Sequence, residues 1–370
     1  MITVKGIAVN IDRDIIGKVE MPYSGDLNLS RVKVITKGEP REVLLLVKDT
    51  QEQNKSEPIY VYNISNITSL NHGDVVLINP SGLITVVYRR VSNDNSIIVT
   101  ERCNCSCLTC PQPPRICPSY LNINKQIISM ANKDTPVLGL TGGEPTVVPD
   151  ELIELIGFCK DKLPSTSLQL LTNGIALDNF EFVKKIISIK HPQLRFHIPL
   201  FADTDREHNQ IIQTEGFYRT VKGLYNLALF NQFVEIRVVI TALNWQRLGH
   251  IAEFVYRNFP FVGHVAFMGL EFIGHALKNH LVLWVDPYDT RHELRKAIQY
   301  LHRADMDVSI FNYTLCVLPT ELRNFARQSI SDWKTIYLDI CNKCVIKEKC
   351  CGLFSSNASV HSRFMNPLVG

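Results

Sequence analysis

Short apolar runs set the pattern of residues 1–95. Four segments, "VKVIT", "REVLLLVKD", "PIYVYNI" and "GDVVLINPSGLITVVYRR", are rich in Val, Ile and Tyr and are separated by Gly, Pro, Asn and Asp. This pattern is typical of strands and turns, and the last segment predicts a hairpin over "NPSG". We therefore predict a β-rich N-terminal module over residues 1–95. We expect it to dock a substrate or partner by accepting an added strand at an open sheet edge.

From residue 96 the pattern changes to strand-like runs that alternate with helix-like stretches. We predict strands at "SIIVT", "PVLGLT", "SLQLLT", "LRFHIPLF", "VEIRVVIT" and "HVAFMGLE". This alternation predicts parallel βα units, either in an open doubly wound sheet or in a partial barrel. In both architectures the loops at the carboxyl ends of the strands hold the site. We predict an α/β domain over residues 96–286.

The last part of the chain has a different character. "PYDTRHELRKAIQYLHRAD" predicts a helix and "DVSIF" a strand, and the remainder is rich in loops and cysteine. We predict a separate C-terminal cysteine-rich module over residues 287–370.

Composition and charge narrow the class of protein. Of the 370 residues, 45% are hydrophobic and 20% charged, and the net charge is +3. A net charge this small does not indicate a nucleic-acid-binding surface. No run of apolar residues reaches the roughly 18 that a membrane-spanning helix needs. The first residues carry no signal-peptide pattern. We therefore expect a cytoplasmic protein with no membrane or nucleic-acid partner.

Eleven cysteines are present, and most of them lie in two clusters, residues 103–117 and 316–351. In a reducing compartment this clustering predicts metal binding and argues against a disulfide framework.

The first cluster follows the first predicted strand of the α/β domain. Cys103, Cys107 and Cys110 have the spacing C-x3-C-x2-C, with Cys105 as an extra thiol. A bacterial ferredoxin run would need a cysteine where Ser106 stands, so that class of cluster is disfavoured.

Zinc is an alternative for this cluster. Cys107 and Cys110 form a CxxC pair, but a structural zinc site needs a second pair. The next CxxC is Cys341/Cys344, more than two hundred residues away along the chain. Zinc at one or both clusters therefore remains an alternative to iron and sulfide.

The second cluster supplies enough thiols to complete a site. Cys341, Cys344 and Cys350 have the spacing C-x2-C-x5-C, Cys351 is adjacent, and Cys316 lies upstream in "YTLCVLP". Four thiolates suit either zinc or a [4Fe-4S] cluster, and spacing does not separate the two. We select Cys316, Cys341, Cys344 and Cys350 as ligands, because Cys350 fits the spacing.

Other polar residues lie at or near predicted strand ends. The turn Gly142-Gly143-Glu144-Pro145 follows the second strand, and Asn173 and Glu271 stand at the ends of later strands. On the strands themselves, Arg195 and His197 share one face, as do Glu235 and Arg237. We interpret Arg195 and Glu235 as paired structural charges and His197 as a core histidine. Cys159 falls on an apolar helix stripe and is interpreted as core packing.

At these residues the sequence resembles the radical S-adenosylmethionine (SAM) enzymes. The resemblance implies that Cys103, Cys107 and Cys110 bind three irons of a [4Fe-4S] cluster, while the fourth iron binds SAM. The "GGEP" turn resembles the family's SAM-contacting turn, so Gly142, Gly143 and Glu144 are expected to bind SAM. The family would place further SAM contacts on the strands, for which we select Asn173 and Arg237. One departure is Thr109, where the family usually has an aromatic or bulky apolar residue near adenine.

The C-terminal spacing resembles the SPASM and shorter Twitch extensions of peptide-modifying radical SAM enzymes, which hold auxiliary clusters. The segments "CPQPP", "FMGLE", "LCVLP" and "FARQSISDWK" narrow the resemblance to His-Xaa-Ser system radical SAM maturases of the HxsC type. The expected fold is then a partial (β/α)6 radical SAM barrel with an N-terminal β-rich module and a C-terminal SPASM/Twitch-like module. The expected cofactors are a [4Fe-4S] cluster with SAM and an auxiliary [4Fe-4S] cluster.

This resemblance implies an enzyme that cleaves SAM to a 5′-deoxyadenosyl radical and modifies a peptide or small protein with His-Xaa-Ser repeats. A second radical SAM maturase and an electron donor such as ferredoxin or flavodoxin are the implied partners. Two alternatives remain: a radical SAM enzyme acting on RNA or a small metabolite, and a non-catalytic zinc-binding scaffold.

Overall fold

The computed structural model describes residues 2–21, 31–36, 42–46, 59–328 and 334–369. Among these residues the N-terminal part forms one eight-stranded sheet with the order β1-β8-β7-β3-β4-β5-β6-β2. Its strands are β1 Thr3–Lys5, β2 Ile7–Val9, β3 Ile15–Glu20, β4 Arg31–Thr36, β5 Glu42–Leu46, β6 Tyr60–Tyr62, β7 Val75–Ile78 and β8 Leu83–Tyr88. The predicted strands and the hairpin over "NPSG" are confirmed, apart from residues 41, 47–49 and 58, which lie outside the described residues.

This sheet closes on itself at Gly6. β1 pairs with β8 and β2 pairs with β6, and Gly6 alone separates the two short strands. The sheet's two outermost strands are therefore the two halves of one bent strand. A side chain at Gly6 would meet the Tyr62 carbonyl oxygen at 2.6 Å, so the crossing requires glycine. One bent strand thus forms both ends of the sheet, and the docking of a substrate or partner by strand addition stays a prediction.

The second sheet is parallel throughout and follows chain order from β9 to β16. Its strands are β9 Asp94–Thr100, β10 Val137–Gly142, β11 Ser167–Leu171, β12 Leu194–Pro199, β13 Phe233–Ile240, β14 His264–Gly269, β15 Val308–Phe311 and β16 Ala326–Arg327. A doubly wound sheet reverses its order at a switch point, whereas this order never reverses. The partial barrel is therefore the correct alternative, and the predicted α/β class is confirmed.

The described residues contain nine α-helices after β9, and most of them pack into the main core beside the parallel sheet. They are α1 Leu121–Met130, α2 Pro149–Lys162, α3 Phe180–Ser188, α4 Asp205–Ile212, α5 Phe217–Leu229, α6 Leu248–Asn258, α7 Gly274–Lys278, α8 His280–Leu283 and α9 Pro287–Arg303. Alternate strand residues such as Phe196, Ile198 and Val234 pack under the helices in the main core. Cys159 of α2 lies fully buried in the same core, as predicted. Within the described residues, no helix has the length and apolar character needed to cross a membrane.

The three predicted modules are not separate bodies. Ile16, Val75 and Tyr88 of the first sheet belong to the main core of the barrel, and the Tyr88 hydroxyl lies 2.9 Å from Thr135 Oγ1. At the other end, α9, β15 and β16 continue the parallel sheet beyond the predicted boundary at residue 286. The C-terminal part that lies outside this sheet contains a two-stranded antiparallel pair, β17 Thr335–Ile336 and β18 Leu353–Phe354.

Candidate metal and substrate site

The first cysteine loop, residues 101–120, leaves the carboxyl end of β9 and is tied to three neighbouring segments. The three segments are the turn after β10, the end of α4, and α7. These backbone hydrogen bonds are Glu144 N to Arg102 O at 2.8 Å, Leu108 N to Ile211 O at 2.9 Å and His275 N to Cys110 O at 2.8 Å. The loop is therefore positioned by elements that lie far apart in sequence.

The thiols of this loop are buried or half-buried. Cys103, Cys107 and Cys110 are half-buried and Cys105 is buried. Cys103, Cys105 and Cys107 pack in one small apolar cluster with Phe201. Within the described ranges, no three His, Cys, Asp or Glu side chains are already arranged around one point as metal ligands. The loop thus presents its thiols together without a finished ligand geometry.

The surroundings of Cys103 and Cys110 favour the protonated form of these two thiols. A hydrogen bond with Cys105, together with burial, raises the pKa of the Cys103 thiol far above its ordinary value. Burial raises the pKa of Cys110 as well. Since metal ligation requires thiolates, metal binding at this loop would release protons.

The two glycines of the "GGEP" turn make the cysteine loop and β10 approach closely. A Cβ on Gly142, whose φ is +134°, would lie 2.1 Å from the Thr100 carbonyl oxygen. A Cβ on Gly143 would lie 2.2 Å from the Arg102 carbonyl oxygen. In the structure the glycines therefore serve this backbone contact, while their expected contact with SAM stays a prediction.

Glu144 is a buried carboxylate that joins the ends of β10 and β11. Its oxygens accept hydrogen bonds from Thr146 N at 3.0 Å, Thr172 Oγ1 at 2.6 Å and Asn173 N at 2.6 Å. Burial raises the pKa of the carboxyl group, although these donors oppose the shift. The side chain is thus occupied by protein donors, and the SAM contact expected of Glu144 stays a prediction.

Asn173 links the end of β11 to the first cysteine loop. Its Nδ2 donates to Asn104 Oδ1 at 2.7 Å and lies 3.4 Å from Cys105 Sγ. Asn173 therefore lies beside the loop that is expected to bind the cluster. Its contact with SAM stays a prediction.

A row of polar side chains crosses the barrel face opposite the helices. We call His197, Glu235 and His264 the His–Glu–His row, because β12, β13 and β14 bring them side by side in register. Glu235 Oε1 lies 2.8 Å from His197 Nδ1, and Oε2 lies 2.8 Å from His264 Nδ1. Arg237 Nε donates to Glu235 Oε1 at 2.6 Å. Burial favours a raised pKa for Glu235, but the two histidines and Arg237 bring it well below the ordinary value.

This row corrects the predicted pairing of Arg195 with Glu235. Arg195 instead lies over the ring of Phe233, 4.6 Å from its centroid. Glu235 pairs with Arg237, because the two residues share a strand face. Arg237, our predicted SAM contact, is therefore bonded within the row.

A cavity lies against the inside face of β9, β10 and β11, between these strands and the first sheet. It has a volume of about 1050 Å³ counted out to open solvent, and its wall includes Gly139, Thr141, Gln169 and Leu171. Tyr88 of the first sheet and Lys334 of the C-terminal segment also line it. Lys334 Nζ donates to both oxygens of Glu271, at 3.0 Å each. All three predicted modules therefore contribute to one cavity.

The second cysteine cluster surrounds a recess in the C-terminal segment, which we call the C-terminal recess. Four thiols, Cys316, Cys341, Cys344 and Cys350, line it together with Lys347. Cys316 follows β15, so the barrel and the C-terminal segment both supply sulfur. All four selected side chains are thus gathered at one recess, although they do not form a finished metal geometry.

The recess separates the two adjacent cysteines. Cys350 lines it and accepts a hydrogen bond from Leu315 N at 3.4 Å. Cys351 is turned away, and its thiol donates to the Tyr313 carbonyl oxygen at 3.1 Å. A hydrogen bond from Cys351 lowers the pKa of Cys350 to about 6, while the same contact raises the pKa of Cys351. The geometry therefore favours Cys350 as the ligand.

Sequence reasoning missed several residues that build the site. His264 Nε2 lies 3.0 Å from Ser309 Oγ of β15, and Asn279 Nδ2 donates to Leu108 O of the cysteine loop at 3.2 Å. Strand alternation could have flagged His264, since it opens "HVAFMG" on the same face as Ala266. Asn279 gives no such signal, because its contact depends on how α7 and α8 pack.

The chemistry of the donor set fits the implied iron–sulfur cluster at the first loop. Three half-buried thiols lie within eight residues on a loop that protein contacts hold from three sides. Thiolates are the ligands that iron–sulfur clusters use, and three of them leave one iron without a protein ligand. Cys103, Cys107 and Cys110 would hold such a cluster.

Comparisons with known proteins bear on the family and its cofactors, while the ligand roles of the three cysteines stay a prediction. Residues 97–255 match the Radical SAM superfamily. A 7,8-dihydro-6-hydroxymethylpterin dimethyltransferase of Methanocaldococcus jannaschii is 36% identical over 198 residues, which are 50% of this chain and 38% of that enzyme. The alignment thus spans well under half the length of that curated relative.

Two solved structures are similar to parts of the fold. SuiB from Streptococcus suis has 14% identity and a TM-score of 0.48, covering 60% of this chain and 49% of that chain. A radical SAM methyltransferase from Sphaerobacter thermophilus has 9% identity and a TM-score of 0.45, covering 82% and 78%. The superfamily match identifies residues 97–255 as a radical SAM domain, an enzyme domain whose cofactors are a [4Fe-4S] cluster and SAM.

Proposed function

We propose that this chain is a radical SAM maturase that modifies a peptide or small protein with His-Xaa-Ser repeats. One observation carries the proposal: the chain has two distinct thiol sites, a three-cysteine loop in the barrel and a four-cysteine recess beyond it. Three thiols suit a cluster with an open iron, and four suit a closed auxiliary cluster. Auxiliary clusters of this kind are what the resemblance to peptide-modifying enzymes implies.

The cofactors supply the reactive species, and the chain must hold and shield it. When bound, the reduced [4Fe-4S] cluster and SAM would supply one-electron chemistry, with a 5′-deoxyadenosyl radical for hydrogen abstraction from substrate carbon and methionine as the co-product. Cys103, Cys107 and Cys110 would hold this cluster. The close packing of Gly142 and Gly143 against the loop keeps the loop backbone at the barrel mouth. Exclusion of water around the reacting groups limits side reactions of such a species.

The barrel cavity supports a peptide substrate. It measures about 1050 Å³ including the open space at its entrance, so it is an open recess and not an enclosed pocket. Its wall mixes apolar and polar side chains, such as Leu171 and Gln169. An extended peptide segment fits a cavity of this size and lining.

The C-terminal recess would hold the auxiliary [4Fe-4S] cluster through Cys316, Cys341, Cys344 and Cys350. Zinc is the competing occupant, because the same four thiols suit it. Iron, sulfide and zinc analysis of the purified protein distinguishes the two: we expect iron and sulfide at both sites. Zinc at both sites would support the scaffold alternative and contradict the enzyme proposal.

The implied partners belong to the same proposal. An electron donor such as ferredoxin or flavodoxin would reduce the first cluster, and a second radical SAM maturase would act on the same peptide. We place this activity in the cytoplasm, where reduced thiols and clusters persist.

The direct test is co-expression with a His-Xaa-Ser peptide followed by mass spectrometry. We expect a mass change on the peptide and 5′-deoxyadenosine when the reconstituted enzyme receives dithionite and SAM. The Cys107→Ala variant should give neither product, whereas Cys159→Ala, which removes a core thiol, should give both. An unchanged peptide mass with deoxyadenosine formation would contradict the peptide substrate and leave the radical chemistry standing.

A second candidate is modification of a small metabolite. The similarity to the pterin dimethyltransferase favours it, since 36% identity covers half of this chain. Incubation with SAM, dithionite and a reduced pterin separates the candidates, because only the second predicts a mass change on the pterin.

A further inference from the structure

Arg89, the residue that follows β8, lies in the wall of the barrel cavity. The hydrogen bonds that it makes with the described residues all use its backbone. Its Nε is buried without a hydrogen-bond partner, and no described carboxylate forms an ion pair with its guanidinium. The cavity wall therefore contains a cation for which the described part of the chain supplies no acceptor.

The backbone of Arg89 is held firmly beside the barrel. Arg89 N donates to Asn95 Oδ1 at 2.7 Å, and Asn95 Nδ2 donates to the Arg89 carbonyl oxygen at 3.1 Å. Asn95 is itself a buried residue of β9. These two bonds fix the point at which the first sheet delivers the arginine side chain to the amino end of the barrel strands.

Other cations nearby have partners within the fold. The guanidinium of the adjacent Arg90 donates from Nη2 to Asp134 Oδ2 at 3.2 Å. Lys334, the second cation of the cavity wall, donates to both oxygens of Glu271. Arg89 differs from both because it lines the same cavity as Lys334 but has no such carboxylate.

A guanidinium in this position favours an anionic ligand. It stays charged at every ordinary pH, and it carries five N–H donors and no acceptor. A partly buried charge without a partner costs free energy, because the protein does not replace the water that the charge has lost. Asp94 also lines the cavity but forms no ion pair with Arg89. A carboxylate of a bound molecule would accept two parallel hydrogen bonds from the guanidinium.

The cavity extends from the region of Arg89 toward the first cysteine loop. Arg89 reaches it at the amino end of the barrel strands, where Val137 of β10 also lines it. Thr141, near the carboxyl end of β10, lines it as well, and Gly143 just beyond packs against the cysteine loop. At about 3.3 Å per residue, the distance along β10 from Val137 to Thr141 is roughly 13 Å, or about four residues of an extended peptide.

We infer that the Arg89 guanidinium binds a carboxylate group of the substrate and so determines which residue of the peptide reaches the first cysteine loop. The inference rests on the proposed function in taking the substrate as a peptide. The carboxylate is then either the C-terminal group of that peptide or an Asp or Glu side chain. Arg89 is a substrate-binding residue that the first sheet contributes to the barrel.

Three variants isolate the guanidinium. Arg89→Gln removes its charge, while Arg89→Lys keeps a charge but loses the two-pronged geometry. Arg90→Gln is the matched control, because the neighbouring guanidinium is bonded to Asp134. We expect Arg89→Gln to leave the thermal midpoint of unfolding unchanged, since the Arg89 side chain makes no bond with the described residues.

The reconstituted holoenzyme is titrated with three synthetic peptides that end about four residues after one His-Xaa-Ser repeat. The first ends in a free carboxylate, the second in an amide, and the third in an amidated Glu; none has another acidic group. We expect the wild type to bind the first or the third at least tenfold more tightly than the second, which identifies the source of the carboxylate. Arg89→Gln should reduce this preference to less than threefold, Arg89→Lys should retain part of it, and Arg90→Gln should keep it.

The outcomes distinguish the inference from the proposed function. Equal binding of all three peptides by the wild type, or an unchanged preference in Arg89→Gln, overturns the inference and leaves the peptide substrate standing. Absence of binding by the wild type overturns the peptide substrate, and Arg89 is then tested with N-acetylglycine as a small carboxylate probe. This probe should raise the thermal midpoint of the wild-type holoenzyme more than that of Arg89→Gln, because a ligand stabilises the form that binds it. Equal shifts in the two proteins overturn the inference.

Discussion

The two cysteine sites of this protein are assembled in different ways. At the first loop, Cys103, Cys107 and Cys110 lie within eight residues, so chain spacing alone brings the thiols together. At the C-terminal recess, Cys316 follows a barrel strand while Cys350 lies more than thirty residues later, so the folded chain must bring them together. The first site should therefore respond to local changes in its loop, and the second to the packing of the C-terminal segment on the barrel.

The largest expected effect comes from removing the first set of thiols. In the Cys103/Cys107/Cys110 triple alanine variant, we expect the loss of about four irons per chain, because the cluster then has no ligands. Iron and sulfide analysis after anaerobic reconstitution measures this loss. Cys159→Ala is the control that removes a thiol from the core, and full iron retention by the triple variant would contradict the assignment.

The second largest effect should distinguish two adjacent residues at the recess. Cys350→Ala should lose the metal of the C-terminal recess, whereas Cys351→Ala should keep it, because only Cys350 lines the recess. Metal analysis and absorption spectra of both variants test this directly. Retention in Cys350→Ala combined with loss in Cys351→Ala would reverse our choice of ligand.

Gly143→Ala tests how far the first site depends on close backbone packing. The added methyl group would approach the Arg102 carbonyl oxygen to 2.2 Å, so we expect a destabilisation of about 1–3 kcal/mol, typical of overpacking. Thermal unfolding and iron content of the reconstituted protein are the measurements.

Gly157→Ala in α2 is the matched control for that substitution. A Cβ there meets nothing within 4 Å, and alanine favours a helix over glycine by about 0.5–1 kcal/mol. The control should therefore be slightly more stable than the wild type, and equal effects of the two substitutions would refute the packing argument.

The smallest expected effect concerns the support of the recess. The Tyr337 hydroxyl donates to the Cys350 carbonyl oxygen at 2.8 Å. Tyr337→Phe should lower stability by about 0.5–1.5 kcal/mol, the usual net value of one hydrogen bond. Iron at the first loop should stay unchanged in this variant, and its loss would mean that the two sites are coupled.

Sequence patterns predict the strands and the first cysteine loop well because both depend on short-range order. The six strands from "SIIVT" to "HVAFMGLE" alternate or run apolar as parallel strands do, and all six are found. The C-x3-C-x2-C spacing similarly lies within one loop. The spacing favours Cys350 over Cys351, and the structure adds a fact that spacing does not contain: only Cys350 of the two lines the recess.

Sequence patterns do not predict contacts between segments that lie far apart in the chain. Nothing in the spacing of Arg195 and Glu235 predicts that Glu235 bonds His264 from the next strand while Arg195 stacks on Phe233. The predicted strand "DVSIF" is found as β15, but the boundary at residue 286 placed it outside the parallel sheet that it joins, because strand pairing is decided by the sheet and not by the local run. Closure of the first sheet through Gly6 is a third example.

The bent strand formed by residues 3–9 also determines how the first sheet can open. If the amino-terminal end of the chain is pulled away, β1 separates from β8 first, and β2 then separates from β6. The closed sheet opens, and its new edge strands β8 and β6 are left with unpaired backbone N–H and C=O groups. These groups can pair again with the strand that left or with an identical strand. A copy of that strand from a neighbouring molecule could therefore fill the gap, which makes this short segment the natural point for strand exchange between molecules.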